Sequence, residues 1–318
     1  MSSLGLVMEQ LATTDSFDER AYLAANPDVA AAVQRGDLES GRAHFEAFGE
    51  KEARLLRMCF SESFVAAKRK KLARVRPLLR SEMPYVDGQG CLDFLTPELR
   101  ERFAIVDSDA VSVNGYDSYA MDLIEKHWDG LVLDCGAGQR PVYFENVLNF
   151  EIVAYDTTDV RGVGEVLPFA DNSFDSVLSL AVLEHVKDPF ACAREIVRVL
   201  KPQGDLMCCV PFLQPMHGYP NHYYNMTEQG LKNLFPQIQI DRHEVYFSML
   251  PIWSLTWIVR SWAEGLTGFA KEEFLNLKMS DLLEPGGEYL DRSFVTELPA
   301  KKNFELASAT VLFGHKPN

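Results

Sequence analysis

The chain has 318 residues, 47% of them hydrophobic, which is enough for a sizeable core and more than one typical domain. Its formal net charge of -15 opposes binding to phosphate backbones and anionic membrane surfaces, so no nucleic-acid partner is expected. Six cysteines without a C-x-x-C pair, and first residues lacking the cationic start and apolar core of a secretory signal, read as a reduced, cytoplasmic protein. The most membrane-like run, residues 245–259, contains Pro251 and falls short of the roughly 20 apolar residues a span needs. It reads as core, substrate lid or subunit contact, which leaves a homo-oligomer open.

Taken in chain order, residues 1–57 form a first unit of short helices. Ser16 is placed as an N-cap with Glu19 at the capping-box position, Asn26-Pro27 breaks the chain before an alanine-rich helix, and a third helix follows around "SGRAHFEAFG". The stretch "FDERAYLAANPDVAAAVQRGDLESGRAHFEAFGEKEAR" resembles a helical module found beside bacterial glycan-processing and surface-associated domains. A purely structural appendage is the competing reading, and either way these residues are expected to be dispensable for cofactor binding. Residues 58–128 read as a mostly helical linker or cap, with turns at "DGQG" and "VNGYD". The basic run Lys68-Arg69-Lys70-Lys71, with Arg74, Arg76 and Arg80, reads as a solvated helix face in preference to a phosphate patch.

From Leu131 the pattern changes to alternating strand and helix, as in a parallel α/β sheet. "LVLDCGAGQR" is an apolar strand ending at Asp134 and followed by Gly136-Ala137-Gly138, at the end of a strand where such sheets bind ligands. Pro141 occupies the position of the third glycine of a dinucleotide turn, which argues against NAD. "NVLNFEI" carries Glu151 at its end, placed to accept the hydroxyls of a ribose, with Asp156 as competitor and both Asp156 and Asp159 open to a role in capping turns. Then come "GVGEVLPFADNSFDSVLSLAVLEHV" and "CAREIVRVLKPQGDLMCCVPF".

In this order the motifs resemble class I S-adenosylmethionine-dependent methyltransferases of the "LPF-DNSFD" type over residues 130–235. The resemblance implies an α/β, Rossmann-like doubly wound sheet with S-adenosyl-L-methionine as cofactor. It places Asp134, Gly136, Ala137 and Gly138 in the first turn, and Glu151 on the ribose. Gly164 or Glu165 takes over adenine recognition, because Val163 stands where the family has an acidic residue. Ser179, Leu180 and Ala181 lie beside the methionine part, and Glu184 with His185 starts a helix.

The segment after the fifth strand, "PFLQPMHGYPNHYYNMTEQGL", should then lie over the methyl group and enter a helix capped by Thr227. Methyl transfer to a hydroxyl needs a proton acceptor, and a neutral imidazole suits the task, so His217 and His222 are the catalytic candidates. Tyr219, Tyr223 and Tyr224 are candidate walls of an acceptor pocket, and backbone-bonded histidines in a packed loop are the structural alternative. No metal is expected, because His217 and His222 lack an evident third ligand.

The full expectation has three parts: an N-terminal helical module at 1–57, a helical cap at 58–128, and a methyltransferase domain at 129–318. A helical lid is inserted at about 212–298, and "FELASATVLFGHKP" supplies closing strands. The expected activity is O-methylation of a small-molecule, sugar or surface-glycan-like acceptor. A lipophilic quinone or polyketide phenol, or a non-catalytic cofactor-binding scaffold, is the alternative.

Overall fold

A computed structural model describes residues 5–88, 90–106, 112–218 and 221–310. The first residues form strands β1 (Gly5–Val7) and β2 (Glu9–Leu11), then helices α1 (Glu19–Ala25), α2 (Pro27–Arg35) and α3 (Gly41–His44). Asp18, not Ser16, caps α1, its carboxylate accepting from the Ala21 amide, while Ser16 is held in a turn with Thr13. Tyr22, Phe45, Val29 and Leu56 fill a small core between these helices and β3 (Leu55–Arg57), which pairs antiparallel with β2. Helix α4 (Glu62–Val75) follows, with Ser61 as N-cap.

The basic run lies in α4 and is only partly solvated. Phe64, Ala67, Lys68, Lys71, Leu72 and Val75 are buried along one face, because residues three and four apart share a side of a helix. Lys68 donates to the Asp156 carbonyl and Lys71 to Asp159 Oδ2 at 2.9 Å, so the expected solvated face is corrected for these two residues. The next region is likewise not helical throughout. A hairpin of β4 (Val86–Gly88) and β5 (Cys91–Asp93) precedes α5 (Pro97–Phe103) and α6 (Ser118–Lys126).

The central strands are β6 (Val132–Cys135), β8 (Val147–Glu151), β9 (Val160–Arg161), β10 (Phe174–Leu180) and β11 (Leu200–Cys209), with β7 (Val142–Phe144) pairing with β1 outside the main sheet. The seven-stranded order is β11-β10-β6-β8-β9-β5-β4, parallel throughout except for the β4–β5 pair. This is a Rossmann-like doubly wound sheet. After β6 the chain builds one side of the sheet through β8 and β9, then returns to build the other through β10 and β11. The crevice between the carboxyl ends of β6 and β10 is therefore the switch point at which open α/β sheets take ligands. Beneath it, Leu133, Leu148, Phe150, Val177 and residues of α7 (Pro189–Val199) form the main core.

Beyond the sheet lie α8 (Glu228–Leu234), capped by Thr227, then α9 (Pro251–Gly265), α10 (Gly268–Leu275), α11 (Ser293–Thr296) and α12 (Ala300–Glu305). Leu266, Phe274, Phe294 and Leu298 give this helical segment its own core. The expected closing strands are corrected only at their start, where Phe304 and Glu305 end α12, whose Lys302 and Glu305 bond to Ser261 of α9; residues 311–317 of that stretch lie outside the described residues. The sheet reaches seven strands through β4 and β5, which come before β6 in the chain. No helix among the described residues is long and apolar enough to cross a membrane.

Candidate active site

The glycine-rich turn leaves β6 at the switch point. Gly136 has φ 90° and Gly138 φ 63°, both in the left-handed region that glycine tolerates. A Cβ on Gly136 would lie 2.4 Å from a Val182 methyl group, so this glycine answers to packing inside the fold. A Cβ on Gly138 would meet the Ser112 carbonyl at 2.7 Å. The Gly136 and Ala137 amides donate to the Phe150 carbonyl, and the Gly138 amide donates to Glu151 Oε2 at 2.7 Å, which ties the turn to the end of β8.

Asp134 is fully buried. Its Oδ2 accepts from Tyr116 at 2.5 Å and from Arg140 at 2.7 and 2.8 Å, while Oδ1 has no hydrogen-bond partner. The Arg140 guanidinium stacks 4.1 Å from the Tyr116 ring centroid and donates to the Asn114 carbonyl. Burial, with the Asp134 charge beside it, holds the Tyr116 hydroxyl far above its ordinary pKa.

Glu151 Oε1 accepts from the Ile152 amide at 2.7 Å, and burial raises its carboxyl pKa against the lowering effect of the surrounding N–H groups. Oε1 also accepts from the Val153 amide at 3.3 Å, so the capacity for a hydroxyl donor lies on Oε2, which accepts from Gly138 alone. Asp156, the competitor for this role, is held by Arg57, and Asp159 by Lys71 and the Tyr143 hydroxyl at 2.5 Å. Gly164 packs on Cys192, where a Cβ would come within 2.7 Å of Sγ. Glu165, raised by burial, accepts from the Lys187 and Asp188 amides ahead of α7.

At the end of β10, Ser179 is fully buried with its hydroxyl unpartnered, Leu180 packs into a secondary core, and Ala181 sits at φ 55° with its amide donating to the Cys209 carbonyl. Glu184 and His185 occupy the turn after β10. The helix expected to start there begins at Pro189, where Asp188 supplies the cap. Both Glu184 carboxylate oxygens are buried without a hydrogen-bond partner, and burial pushes this carboxyl up to about 7.

The loop after β11 folds back onto this turn. The Glu184 carbonyl accepts from the Tyr223 amide at 2.7 Å, and His185 Nδ1 faces the Asn221 carbonyl at 2.7 Å. The ring centroids of His185 and His217 are 5.1 Å apart, those of His217 and His222 4.3 Å, and Trp257 of α9 lies 5.2 Å from His217. The two loop histidines are chemically unequal. The His217 amide donates to His222 Nδ1, and His222 Nε2 meets Asn225 Oδ1, because Asn225 Nδ2 donates to the Gln214 carbonyl. His222 therefore has no free lone pair. In His217, Nδ1–H donates to the Pro215 carbonyl, which leaves the lone pair on Nε2. Burial lowers the pKa of both His185 and His217, favouring neutral rings.

Tyr223 and Tyr224 are partly exposed with ring centroids 6.3 Å apart, and Tyr219 lies outside the described residues. The sequence reading singled out the loop histidines but set no third ligand beside them. The missed partners are Glu184 and His185, for which the only signal was their place one turn past a strand that ends at the switch point.

Residues 133–208 match the family described as a methyltransferase domain. This segment resembles a methyltransferase domain. The chain is similar over 45 residues, at 53% identity, to an uncharacterized methyltransferase of Mycobacterium sp. (strain JLS), covering 14% of this chain and 18% of that protein. Over 50 residues it is 48% identical to the uncharacterized protein YafE of Escherichia coli (strain K12), covering 16% of this chain and 24% of that one. The chain thus spans less than a third of the length of these relatives. A solved SAM-dependent methyltransferase from Thermotoga maritima is 21% identical, covering 34% of this chain and 62% of its own, with a TM-score of 0.27.

Proposed function

We propose that the protein transfers a methyl group from S-adenosylmethionine to a hydroxyl of a sugar or glycan-like acceptor. The observation that carries this reading is the folding of the histidine loop from beyond β11 onto the turn after β10, whose Val182 packs on Gly136 at the switch point. The buried, unpartnered Oδ1 of Asp134 and the spare lone pair on Oε2 of Glu151 fit the polar groups of such a cofactor. Asp134 would take its amino-acid end and Glu151 its ribose, with Gly164 and Glu165 towards the base and residues 179–181 beside the methionine part. When bound, the cofactor supplies an electrophilic methyl group on a sulfonium.

An acceptor hydroxyl brought to that methyl group would have to lose its proton as it is methylated, and Nε2 of His217 or His185 would take it, since Nδ1 of each ring is engaged with a backbone carbonyl. Tyr223 and Tyr224 offer hydroxyls and flat faces at the rim of the His185–His217 pocket. A second reading, a quinone or polyketide phenol, is supported by the apolar surface that α9 presents beside His217, with Ile252 54% and Trp253 59% exposed.

Calorimetry with S-adenosylmethionine tests the cofactor: a micromolar dissociation constant, about -8 kcal/mol, is expected, and absence of heat and of thermal stabilisation defeats the reading. Transfer of a labelled methyl group to a panel of sugars and phenols then separates the acceptors. Cofactor binding without transfer to any of them would favour a scaffold.

A further inference from the structure

We propose that Glu184, His185 and His217 form a site for one divalent transition-metal ion, placed where the acceptor oxygen would approach. One ligating atom from each residue lies within 4.8 Å of the other two, and His185 Nε2 stands 3.7 Å from Glu184 Oε1. Two histidines and a carboxylate are the donor set of open, catalytic zinc sites, in which the fourth position is left for water or substrate. Ligand atoms about 2.1 Å from one tetrahedral ion are roughly 3.4 Å apart, so closure asks side-chain movements of about an ångström.

Two independent observations support the assignment. The first concerns Glu184, whose carboxylate oxygens are both fully buried without any hydrogen-bond partner. Burying a carboxylate unpaired is costly, and a cation held by it removes that cost. The second concerns how the histidines are oriented. His185 points Nδ1–H at the Asn221 carbonyl and His217 points Nδ1–H at the Pro215 carbonyl, so both carry the lone pair on Nε2. Metal-ligating histidines are held in this way, one ring nitrogen donating to a backbone carbonyl while the other binds the ion. His222 is excluded as a ligand because both its ring nitrogens are engaged. It contributes instead by receiving the His217 amide and holding that residue's backbone in place.

The consequence for chemistry rests on the methyl-transfer reading above. An acceptor hydroxyl bound at the open position gives its proton to water, and the oxygen left on the ion is the nucleophile. His217 then acts as a ligand, and no free imidazole base is needed.

The test uses the full-length protein, stripped of metal and titrated with Co²⁺ alone while its visible absorption is followed. One saturable equivalent, displaced by Zn²⁺, is expected. Glu184→Gln, nearly isosteric, and His217→Ala should each weaken Co²⁺ binding at least tenfold, while exposed His243→Ala leaves it unchanged. No saturable Co²⁺ binding by the unaltered protein overturns the proposal, as does equal binding by the unaltered protein and a folded Glu184→Gln variant. S-adenosylmethionine calorimetry on the same sample separates the two proposals: cofactor binding without cobalt removes only the metal site, and cobalt binding without cofactor removes only the methyl-transfer reading.

Discussion

Arg57 grips Asp156 with two hydrogen bonds, Nε to Oδ2 at 2.6 Å and Nη2 to Oδ1 at 2.9 Å, across 99 positions of sequence. Residue 57 ends the first unit read in the sequence, and Asp156 follows the strand that carries Glu151. The N-terminal residues are thus fastened close to the Glu151 end of β8 by a mostly buried ion pair, as well as by the pairing of β1 with β7. Arg57→Ala should lower unfolding free energy by about 3 kcal/mol, since it leaves a half-buried carboxylate unpaired. Urea denaturation measures this, and a change under 1 kcal/mol would show that the pair holds nothing together. For the same reason, a chain starting at residue 58 is expected to be less stable, a separate matter from the dispensability for cofactor binding read from the sequence.

The same pair sets a pH dependence. Burial works to raise the Asp156 pKa, but hydrogen bonding and charge from Arg57 outweigh it, and the carboxyl lies below its ordinary value. A carboxylate depressed in the folded state contributes stability in full above the unfolded pKa of about 3.9 and loses it as pH falls through the lower folded value. In acid titrations, Asp156→Asn should therefore remove part of the stability loss seen below about pH 4. An acid limb identical in slope and position would contradict this.

Glu151 and Asp156 should separate cleanly by readout. Glu151→Ala removes the acceptor for the Gly138 and Ile152 amides and should weaken S-adenosylmethionine binding by about 1.5–3 kcal/mol. Asp156→Ala should act mainly on the melting temperature. If calorimetry finds the larger affinity loss in Asp156→Ala, the ribose contact belongs elsewhere.

For the loop, His217→Ala should cut turnover 10²–10⁴-fold with cofactor affinity nearly unchanged, whether the ring takes the acceptor's proton itself or holds the ion that acidifies the hydroxyl. His222→Ala should cost less, because that ring receives the His217 amide and offers no free lone pair. Steady-state kinetics on a responsive acceptor decide the order. A larger loss in His222→Ala would reverse the assignment.

Gly136→Ala places a methyl group against Val182 at a φ of 90°, combining overpacking with backbone strain, and should cost about 2–4 kcal/mol. Adding Val182→Ala should recover the packing part but leave the strain. A double variant no more stable than the single one would place the whole cost in the backbone.

Much of the sheet was readable because β6, β8 and β10 are short apolar runs, β6 leading into the glycines and β8 ending on Glu151. The buried lysines were readable too, had spacing been weighed above charge. Phe64, Lys68, Lys71, Leu72 and Val75 recur at three- and four-residue steps, and this periodicity marks a packed face whatever the residue type. Three-residue strands such as β4 and β5 leave no periodic trace, since alternation needs more positions to be recognised. The joining of Glu184 and His185 to the loop histidines is a long-range product of the sheet order. No local signal in either segment announces it.

The placement of β5 beside β9 has a consequence for the order of folding. Both strands that finish this side of the sheet are synthesised before the strand they must join, as is Lys71 before its partner Asp159. Pairing Leu92 with Val160 closes a long stretch of chain and becomes favourable only once β6, β8 and β9 have already aligned. Until then Lys71 keeps its water shell, and Arg57 has only Glu9, its neighbour across β2 and β3, as a partner. A nascent chain released before Asp159 therefore leaves Lys71 in solvent, waiting for a carboxylate not yet made.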